Sequence, residues 1–322
     1  KNNKMGKMIV TGGAGFIGSN LALKLEELGH EVVVLDNFLM GNMKNLGGFK
    51  GKVIKGNESE LSKIKNDFDA VFHQAAITDT TITDKDKMFG NNVEGFKKII
   101  AFCEKNNSKL VYASSAATYG LGEYGYDDNE AVIDKLKPLN PYGDSKNEFD
   151  KWALKQEKKP YFWVGLKFFN VYGPNEFHKG RMASVIMHAF NQIQEKGSVK
   201  LFRSHNPKFK DGEQLRDFVY VKDVVDVCHF LLHHRKDSGI YNLGSGKART
   251  FLDLVKNTFA GVDKEPKIEF VDTPIDIRDK YQYFTEANMT KLKSIAYSKP
   301  FHTLEEGVKD YVKNYLVGKK YY

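Results

Sequence analysis

Apolar and polar positions follow two recurring patterns along the first 170 residues. Short runs of β-branched and other apolar residues predict buried strands, and apolar residues three or four positions apart, as at Leu21, Leu25 and Leu28, predict amphipathic helices. The predicted strands cover residues 7–11, 31–35, 69–73, 109–113 and part of 161–169, and the predicted helices cover 19–28, 95–104 and 142–155. Strands that alternate with helices form parallel sheets covered on both faces. The pattern therefore predicts an α/β fold with a doubly wound parallel sheet.

A glycine-rich turn joins the first predicted strand to the first helix. Residues 12–18 read G-G-A-G-F-I-G, and Asp36 ends the second predicted strand 18 residues later. Gly12 permits the bend, Gly15 lets the backbone approach a diphosphate, and Gly18 allows the helix to pack closely on the strand. The N–H groups at the start of the helix attract phosphates. The turn therefore predicts a Rossmann domain that binds a dinucleotide.

Asp36 bears on which dinucleotide is bound. A carboxylate at this position accepts hydrogen bonds from the adenosine ribose and repels a 2′-phosphate, which favours NAD over NADP. Asn37 and Lys44 can offset that preference with a hydrogen-bond donor and a positive charge. The residues alone leave the choice open.

Tyr142 and Lys146 are four residues apart on a predicted helix and so share one face. A tyrosine titrates near ~10, too high for a base at neutral pH. A neighbouring ammonium and an oxidised nicotinamide both favour the phenolate. Ser115 follows the strand at 109–113 and can hold a substrate alcohol beside Tyr142. We predict that these three residues are catalytic.

The alternation becomes irregular after Gly173-Pro174, where longer polar connections follow. Two later apolar segments, residues 219–221 and 239–243, are expected to return to the sheet. We therefore predict a dinucleotide-binding domain from residues 1–172 and 216–245. A smaller α/β substrate lobe is predicted from residues 173–215 and 246–322.

Charge and cysteine content narrow the class of partner. The net charge of +8 is spread along the chain, which fits solvated faces and an anionic small molecule, so neither a nucleic acid nor a membrane partner is predicted.

Cys103 and Cys228 lack the spacing of a disulfide framework or metal cluster, which predicts reduced thiols in the cytoplasm. His229 and His233 are one helical turn apart, but no carboxylate or cysteine completes a ligand set at a usual spacing, so no metal site is predicted.

Together these motifs resemble the extended short-chain dehydrogenase/reductase family, which acts largely on nucleotide sugars. The stretch G-P-x-x-x-x-K-G-x-M-A-S at residues 173–184, with segments 216–221 and 280–282, is similar to the ADP-glyceromanno-heptose 6-epimerases. The resemblance covers nearly the whole chain.

The resemblance implies a role for many residues. It implies that Ser115, Tyr142 and Lys146 are catalytic and that Lys179 is a second acid/base lysine. The cofactor, expected to be NADP with NAD as the alternative, is then contacted by Phe16, Ile17, Asp36, Asn37, Gln74, Ala75, Ala76, Ile77, Thr78, Asn91, Lys146, Val171 and Lys179. The ADP-sugar is contacted by Asn170, Arg181, His188, Phe202, Arg203, Ser204, His205, Arg216 and Tyr281. A homo-oligomer is also implied.

The implied reaction is epimerisation at C6″ of ADP-D-glycero-D-manno-heptose by transient oxidation and re-reduction. Inverting an alcohol in this way can use two bases, and His178 and Arg181 are expected to supply positive charge that activates Lys179. In the alternative, Lys179 pairs with a phosphate. The other enzyme hypothesis is a 4-epimerase or 4-reductase for another nucleotide sugar. A hypothesis from a different class of protein is a non-catalytic redox sensor that binds a dinucleotide. Tyr142 and Lys146 argue against it, because such a sensor is expected to lack the tyrosine.

Overall fold

A computed structural model describes residues 5–65, 67–78 and 83–322, so the first four residues of the predicted dinucleotide-binding domain lie outside it. The strands are β1 (Lys7–Thr11), β2 (Glu31–Asp36), β3 (Lys52–Lys55), β4 (Ala70–His73), β5 (Lys109–Ser115), β6 (Trp163–Phe168), β7 (Asn170–Tyr172), β8 (Val199–Phe202), β9 (Leu215–Arg216), β10 (Phe218–Tyr220), β11 (Gly239–Leu243), β12 (Arg249–Thr250) and β13 (Ile268–Val271). The helices are α1 (Phe16–Glu27), α2 (Lys85–Asn106), α3 (Pro141–Lys155), α4 (Val185–Lys196), α5 (Val221–His233), α6 (Phe251–Gly261), α7 (Thr290–Ser294) and α8 (Leu304–Tyr311). Short 3-10 helices cover Met43–Leu46, Glu58–Lys63, Ala116–Tyr119, Glu130–Lys135, Phe177–Met182 and Ile275–Lys280, and a π-helical turn follows α8 at Val312–Leu316.

Seven strands form one parallel sheet in the order β11-β6-β5-β4-β1-β2-β3. The strand order reverses at β1, and α1 to α3 cross between strands as the predicted doubly wound fold requires. The prediction of fold class is therefore confirmed. In such sheets ligands bind beyond the carboxyl ends of the strands, near the reversal. Thr11, Asp36, His73 and Ser115 all end strands at that edge.

Helix α2 is ten residues longer at its start than the pattern predicts, since it begins at Lys85 instead of residue 95. The Asp84 side chain caps it by accepting a hydrogen bond from the Lys87 N–H. Met88 is fully buried, whereas the surrounding charged residues and Gly90 resemble a loop in sequence. The first turns of α2 are thus held by the cap and one buried face, which the apolar spacing alone does not reveal.

Three further pairs of strands in the described residues lie apart from the main sheet. Parallel pairs β7–β10 and β8–β13 and the antiparallel pair β9–β12 lie beside α4, α6 and α8. Residues 219–221, expected to return to the region of the sheet, do not join the main sheet itself: β10 pairs with β7, and β11 occupies the free edge of β6. Within the described residues, no helix is both long and apolar enough to span a membrane.

Two hydrophobic clusters fill the molecule. The larger one covers both faces of the main sheet and includes Ala287, Met289 and Leu292, since α7 packs against β11. Residues 246–322 are predicted to belong to the substrate lobe, and this part of them packs on the larger cluster. The smaller cluster lies under the second lobe and takes in Phe16 from α1.

Asp217 connects three segments from inside the protein. Its Oδ1 accepts hydrogen bonds from the Ser245 N–H and hydroxyl at 2.7 and 2.8 Å, and its Oδ2 accepts from Gly246 and Ala287 N–H groups at 3.0 Å each. The side chain is fully buried.

We predict that Asp217→Asn lowers the free energy of unfolding by about 2–4 kcal/mol. Either orientation of the amide turns an NH₂ group toward two buried donors. Urea denaturation measures the change as a lower midpoint with an unchanged slope. The matched variant Asp276→Asn changes an exposed carboxylate and is expected to have little effect. Equal midpoints for the two variants would contradict this account.

Candidate active site

A cavity of about 520 Å³ opens at the carboxyl edge of the sheet and extends beneath the second lobe. It brings together residues that the sequence places far apart. The predicted residues that line it are Gly12, Gly15, Phe16, Ile17, Gly18, Asp36, Asn37, Gln74, Ala75, Ala76, Ile77, Thr78, Asn91, Ser115, Tyr142, Lys146, Asn170, Val171, Lys179 and Arg181. All four predicted catalytic residues therefore face one space.

The glycine turn forms one end of this cavity. Gly12 has φ +65°, and a Cβ there would lie 2.7 Å from the Ala75 nitrogen. A Cβ on Gly18 would collide with the Gly12 carbonyl oxygen, whereas Gly15 has only that oxygen near it, at 3.2 Å. Gly12 and Gly18 thus permit the close packing of α1 on β1, and Gly15 leaves backbone open to a ligand.

Asp36 is buried beside the glycine turn. Its Oδ2 accepts a hydrogen bond from the Ala14 N–H at 2.9 Å, and its Oδ1 accepts from the Phe38 N–H at 2.7 Å. Each carboxylate oxygen keeps a further lone pair, so Asp36 can still accept from a ribose hydroxyl. Phe38 has φ +60°, so the chain turns sharply there.

The loop after this turn gives the cavity an apolar edge. Leu39 and Met40 line the cavity although they are 61% and 42% exposed. Lys44 lies on the next short helix, is exposed and does not line the cavity. The structure therefore does not bring Lys44 together with the other predicted cofactor residues.

Tyr142, Ser115 and Lys146 meet where α3 begins beside the end of β5. Asn140 caps α3 by accepting from the Gly143 N–H at 2.8 Å, and Pro141 occupies its first turn. The Lys146 ammonium lies 5.9 Å from the centre of the Tyr142 ring and donates to the Ala113 carbonyl at 2.7 Å. The Ser115 side chain is a hydrogen-bond partner of Tyr142.

Burial dominates the titration of this pair. Burial raises the pKa of Tyr142, and the hydrogen bond with Ser115 opposes that rise. Burial also lowers the pKa of Lys146 to about 7, opposed by Asp150. The expected lowering of the tyrosine pKa also depends on an oxidised nicotinamide, so it stays a prediction. For the chain by itself, desolvation is the larger effect on Tyr142.

A buried network lies beneath Lys146. Asp150, one turn further along α3, accepts hydrogen bonds from the Tyr112 and Ser114 hydroxyls at 2.7 and 2.8 Å. Lys167 lies 3.7 Å from Asp150 and donates to the Thr118 hydroxyl at 2.9 Å. These contacts hold the inner face of α3 against β5 and β6 and so fix the position of Lys146.

Lys179 approaches the cavity from the short helix Phe177–Met182. Its ammonium lies 4.8 Å from the centre of the Phe16 ring and 4.0 Å from Oε1 of Glu176. Burial lowers the pKa of Lys179, and Glu176 opposes that change. Burial, with Lys179 beside it, also lowers the pKa of His178 to about 4. His178 is therefore neutral at pH 7, and the expectation that it supplies positive charge to Lys179 is wrong.

Glu176 is fully buried and organises the turn that carries Lys179. Its Oε1 accepts from the Ser184 N–H at 2.8 Å, and its Oε2 accepts from the Ser184 hydroxyl at 2.7 Å and the Tyr311 hydroxyl at 2.8 Å. Glu176 was not among the residues selected from the sequence. Its position three residues before Lys179 was the available signal, because residues at that spacing meet across one helical turn.

The predicted sugar contacts fall into two groups. Asn170 and Arg181 line the cavity, and the His188 ring lies 3.0 Å from the Arg181 carbonyl. The remaining predicted sugar contacts do not line the cavity; they are Phe202, Arg203, Ser204, His205, Arg216 and Tyr281. The Arg216 guanidinium lies 5.4 Å from the ring centre of Tyr281 and equally far from that of Phe251.

Thr11 and His73 are further residues that were missed at the level of the sequence. The Thr11 oxygen accepts from the Gln74 and Ala75 N–H groups at 3.1 and 3.2 Å, so its own proton points to Nδ1 of His73 at 2.7 Å. These bonds fix the backbone after β4 against the glycine turn. The positions at the ends of β1 and β4 were the only signal, because ligands bind at that edge.

The model of the NAD dependent epimerase/dehydratase family matches residues 8–244. Since this is most of the chain, the protein belongs to that family. The family and the cavity together indicate a nicotinamide dinucleotide as the cofactor.

Three relatives illustrate where the chain stands within this family. It is 49% identical to the ADP-L-glycero-D-manno-heptose-6-epimerase of Fusobacterium nucleatum over 98% of this chain and 99% of that one. It resembles the crystal structure of the Helicobacter pylori ADP-L-glycero-D-manno-heptose-6-epimerase, with a TM-score of 0.83, 34% identity and 96% of each chain covered. The UDP-glucose 4-epimerase of Thermus thermophilus, solved with NAD, has a TM-score of 0.75 at 27% identity, with 95% and 97% covered. These relatives confirm the predicted isomerase class.

We predict that Glu176→Gln lowers the pKa of Lys179. The glutamate charge favours the ammonium, so its removal lets the neutral amine form at lower pH. The pH dependence of Lys179 modification by an amine-selective acylating reagent, read by peptide mass spectrometry, measures the shift. Tyr311→Phe removes one hydrogen bond to Glu176 but keeps the charge, and it is expected to leave the midpoint nearly unchanged. The prediction is refuted if the pH midpoint of Lys179 modification is unchanged or higher in Glu176→Gln.

Proposed function

We propose that this protein inverts C6″ of ADP-D-glycero-D-manno-heptose and forms ADP-L-glycero-D-manno-heptose by oxidation and re-reduction of the same carbon. The observation that carries the proposal is that Tyr142 and Lys179, from separate elements, line one cavity with the glycine turn. The printed names of the F. nucleatum and H. pylori relatives support the choice of sugar.

The residues present fit a nicotinamide dinucleotide, because Gly15 leaves the backbone before α1 open to a diphosphate and Asp36 can still accept from a ribose hydroxyl. The bound dinucleotide supplies a hydride acceptor that later returns the hydride. Tyr142 takes the hydroxyl proton as the C6″ hydrogen leaves, which gives a ketone. The Ser115 hydrogen bond favours the Tyr142 phenolate, and the positive charge of an oxidised nicotinamide would add to that effect.

Lys179 acts as the acid or base when the reacting carbon has turned and presents its other face. When the ketone presents its other face, the alkoxide that forms on reduction takes its proton from whichever acid is nearest. Burial keeps Lys179 closer to neutrality than an exposed lysine, which suits proton exchange with an alcohol. In the alternative role Lys179 pairs with a phosphate and moves no proton.

Arg216 is placed to hold the sugar nucleotide. It is 9% exposed and lies between aromatic rings, so its guanidinium is fixed in orientation. A fixed guanidinium binds a diphosphate with two parallel hydrogen bonds. This supports an ADP-sugar lying from Arg181 toward Tyr281. The domain division, a homo-oligomeric state and a cytoplasmic location remain predictions.

We predict that the protein converts ADP-D-glycero-D-manno-heptose to its C6″ epimer, detected by NMR of the sugar. In deuterated water C6″ is expected to keep its own hydrogen, because the hydride returns directly. Tyr142→Phe should lower kcat by about 10²–10⁴-fold while the dinucleotide stays bound. The control Tyr124→Phe changes an exposed tyrosine and should keep full activity.

Other outcomes would distinguish the alternatives. Solvent deuterium at C6″ would contradict the oxidation and return of one hydrogen. Turnover of a UDP-hexose without any change in the heptose would favour the 4-epimerase. A variant Lys179→Ala with raised KM and normal kcat would make Lys179 a phosphate ligand. Absence of turnover with every nucleotide sugar would favour the redox sensor.

We further propose that the cofactor is NAD, although the family resemblance predicts NADP. Among the described residues, the cavity near Asp36 is lined by Asn37, Leu39, Met40 and residues 56–58, none of them a cation. The cavity's lysines and arginine belong to α3 and to the helix Phe177–Met182. A 2′-phosphate bound there would approach the Asp36 carboxylate, and none of these lining residues would offset its charge.

We predict that NAD⁺ binds at least about tenfold more tightly than NADP⁺, as measured by calorimetry on protein freed of dinucleotide. Leu39→Arg is expected to reduce the preference for NAD⁺ over NADP⁺. Residue 39 is exposed and lines the cavity, so an arginine there can place a positive charge near a 2′-phosphate. The matched variant Met43→Arg adds the same charge at an exposed position outside the lining. Tighter binding of NADP⁺ to the unaltered chain would overturn the proposal.

A further inference from the structure

Three imidazole rings converge at the edge of the molecule opposite the cavity. His30 immediately precedes β2, and His229 and His233 lie on the last two turns of α5. One ring nitrogen from each residue lies within 4.8 Å of the other two. Lys109, which begins β5, donates to the Leu232 carbonyl at 2.6 Å and so holds the end of α5 at this amino edge of the sheet.

The pair on α5 has the spacing of a chelate. The Nε2 atoms of His229 and His233 are 3.3 Å apart. Two zinc–nitrogen bonds of ~2.0–2.1 Å that meet at a tetrahedral angle span about 3.3 Å between the nitrogens. No metal site was predicted from this pair, because no third group is visible at a usual spacing in the sequence. The third group, His30, comes from about 200 residues earlier in the chain.

His30 has a defined tautomer. Its Nδ1 accepts the Gly6 N–H at 3.0 Å, so a neutral His30 carries its proton on Nε2. That nitrogen cannot bind a cation while it holds the proton. It can donate to a water molecule bound to the ion, which is the outer contact that often orients the groups around a metal.

The surroundings shift all three rings in the direction of the neutral form. Burial lowers the pKa of each of them, and His233 further lowers the pKa of His30 and His229. Neutral imidazole is the form that binds transition metals. The nearby cations are Lys24 beside His229 and Lys109 and Arg235 beside His233. Asp226 beside His229 and Asp69 beside His30 partly balance them.

We propose that His229 and His233 bind one divalent transition-metal ion of the zinc, nickel or cobalt class through Nε2, and that His30 orients a water ligand of that ion. The ion would fasten the end of α5 to the segment before β2. Because the site lies across the sheet from the cavity, binding is expected to change stability and to leave turnover unchanged.

The test is titration of the whole, chelator-treated protein with ZnCl₂ by calorimetry and with CoCl₂ by visible absorption. One ion per chain and a concentration-dependent rise in Tm are expected. His229→Ala and His233→Ala should each weaken binding at least tenfold. His30→Ala should weaken it less, because the chelating pair remains. The matched control His234→Ala removes the adjacent ring, which instead faces Asp237 at 3.2 Å, and should bind normally.

Three results would overturn the proposal. Unchanged Zn²⁺ binding in the His229→Ala, His233→Ala double variant would place the ion elsewhere. Absence of binding at millimolar Zn²⁺ would show that the rings form only a hydrogen-bonded cluster. A loss in His30→Ala as large as in His229→Ala would make His30 a direct ligand and refute its role toward water.

Discussion

The contact between Gly12 and Gly18, which a single Cβ would prevent, is the constraint on which the site depends. It sets α1 directly on the end of β1 and aims the start of α1 into the cavity. Phe16, the first residue of α1, then reaches the second hydrophobic core, and its ring faces Lys179. The close approach of Gly12 to Gly18 thus positions both the glycine turn and the Phe16 ring that faces Lys179.

The acid and base groups are tuned mainly by removal from water. Burial moves the pKa of Lys146 toward neutrality, favours the protonated form of Tyr142 and keeps the His178 ring neutral. Two carboxylates oppose this effect, Glu176 at Lys179 and Asp150 at Lys146. Burial thus shifts each of these groups toward its uncharged form. A charged ligand in the cavity would change their proton affinities in turn.

The fold and most of the cavity lining could be predicted because they depend on local patterns. The glycine turn, Asp36 and the Tyr142–Lys146 spacing each belong to a single βα unit, where neighbours in sequence are neighbours in space. The second lobe was less predictable, since its short strands pair across long separations, as β8 does with β13. The neutral state of His178 was also not predicted, because burial is a property of packing that no motif encodes.

The bond between Glu176 and Tyr311 spans 135 residues and ties the turn of Lys179 to α8. The glycine turn lies near the beginning of the given sequence, whereas Tyr311 lies near its end. The Glu176 carboxylate has all its hydrogen-bond donors only when Tyr311 is in place. The support beneath Lys179 therefore depends on a residue near the far end of the chain as well as on its own turn.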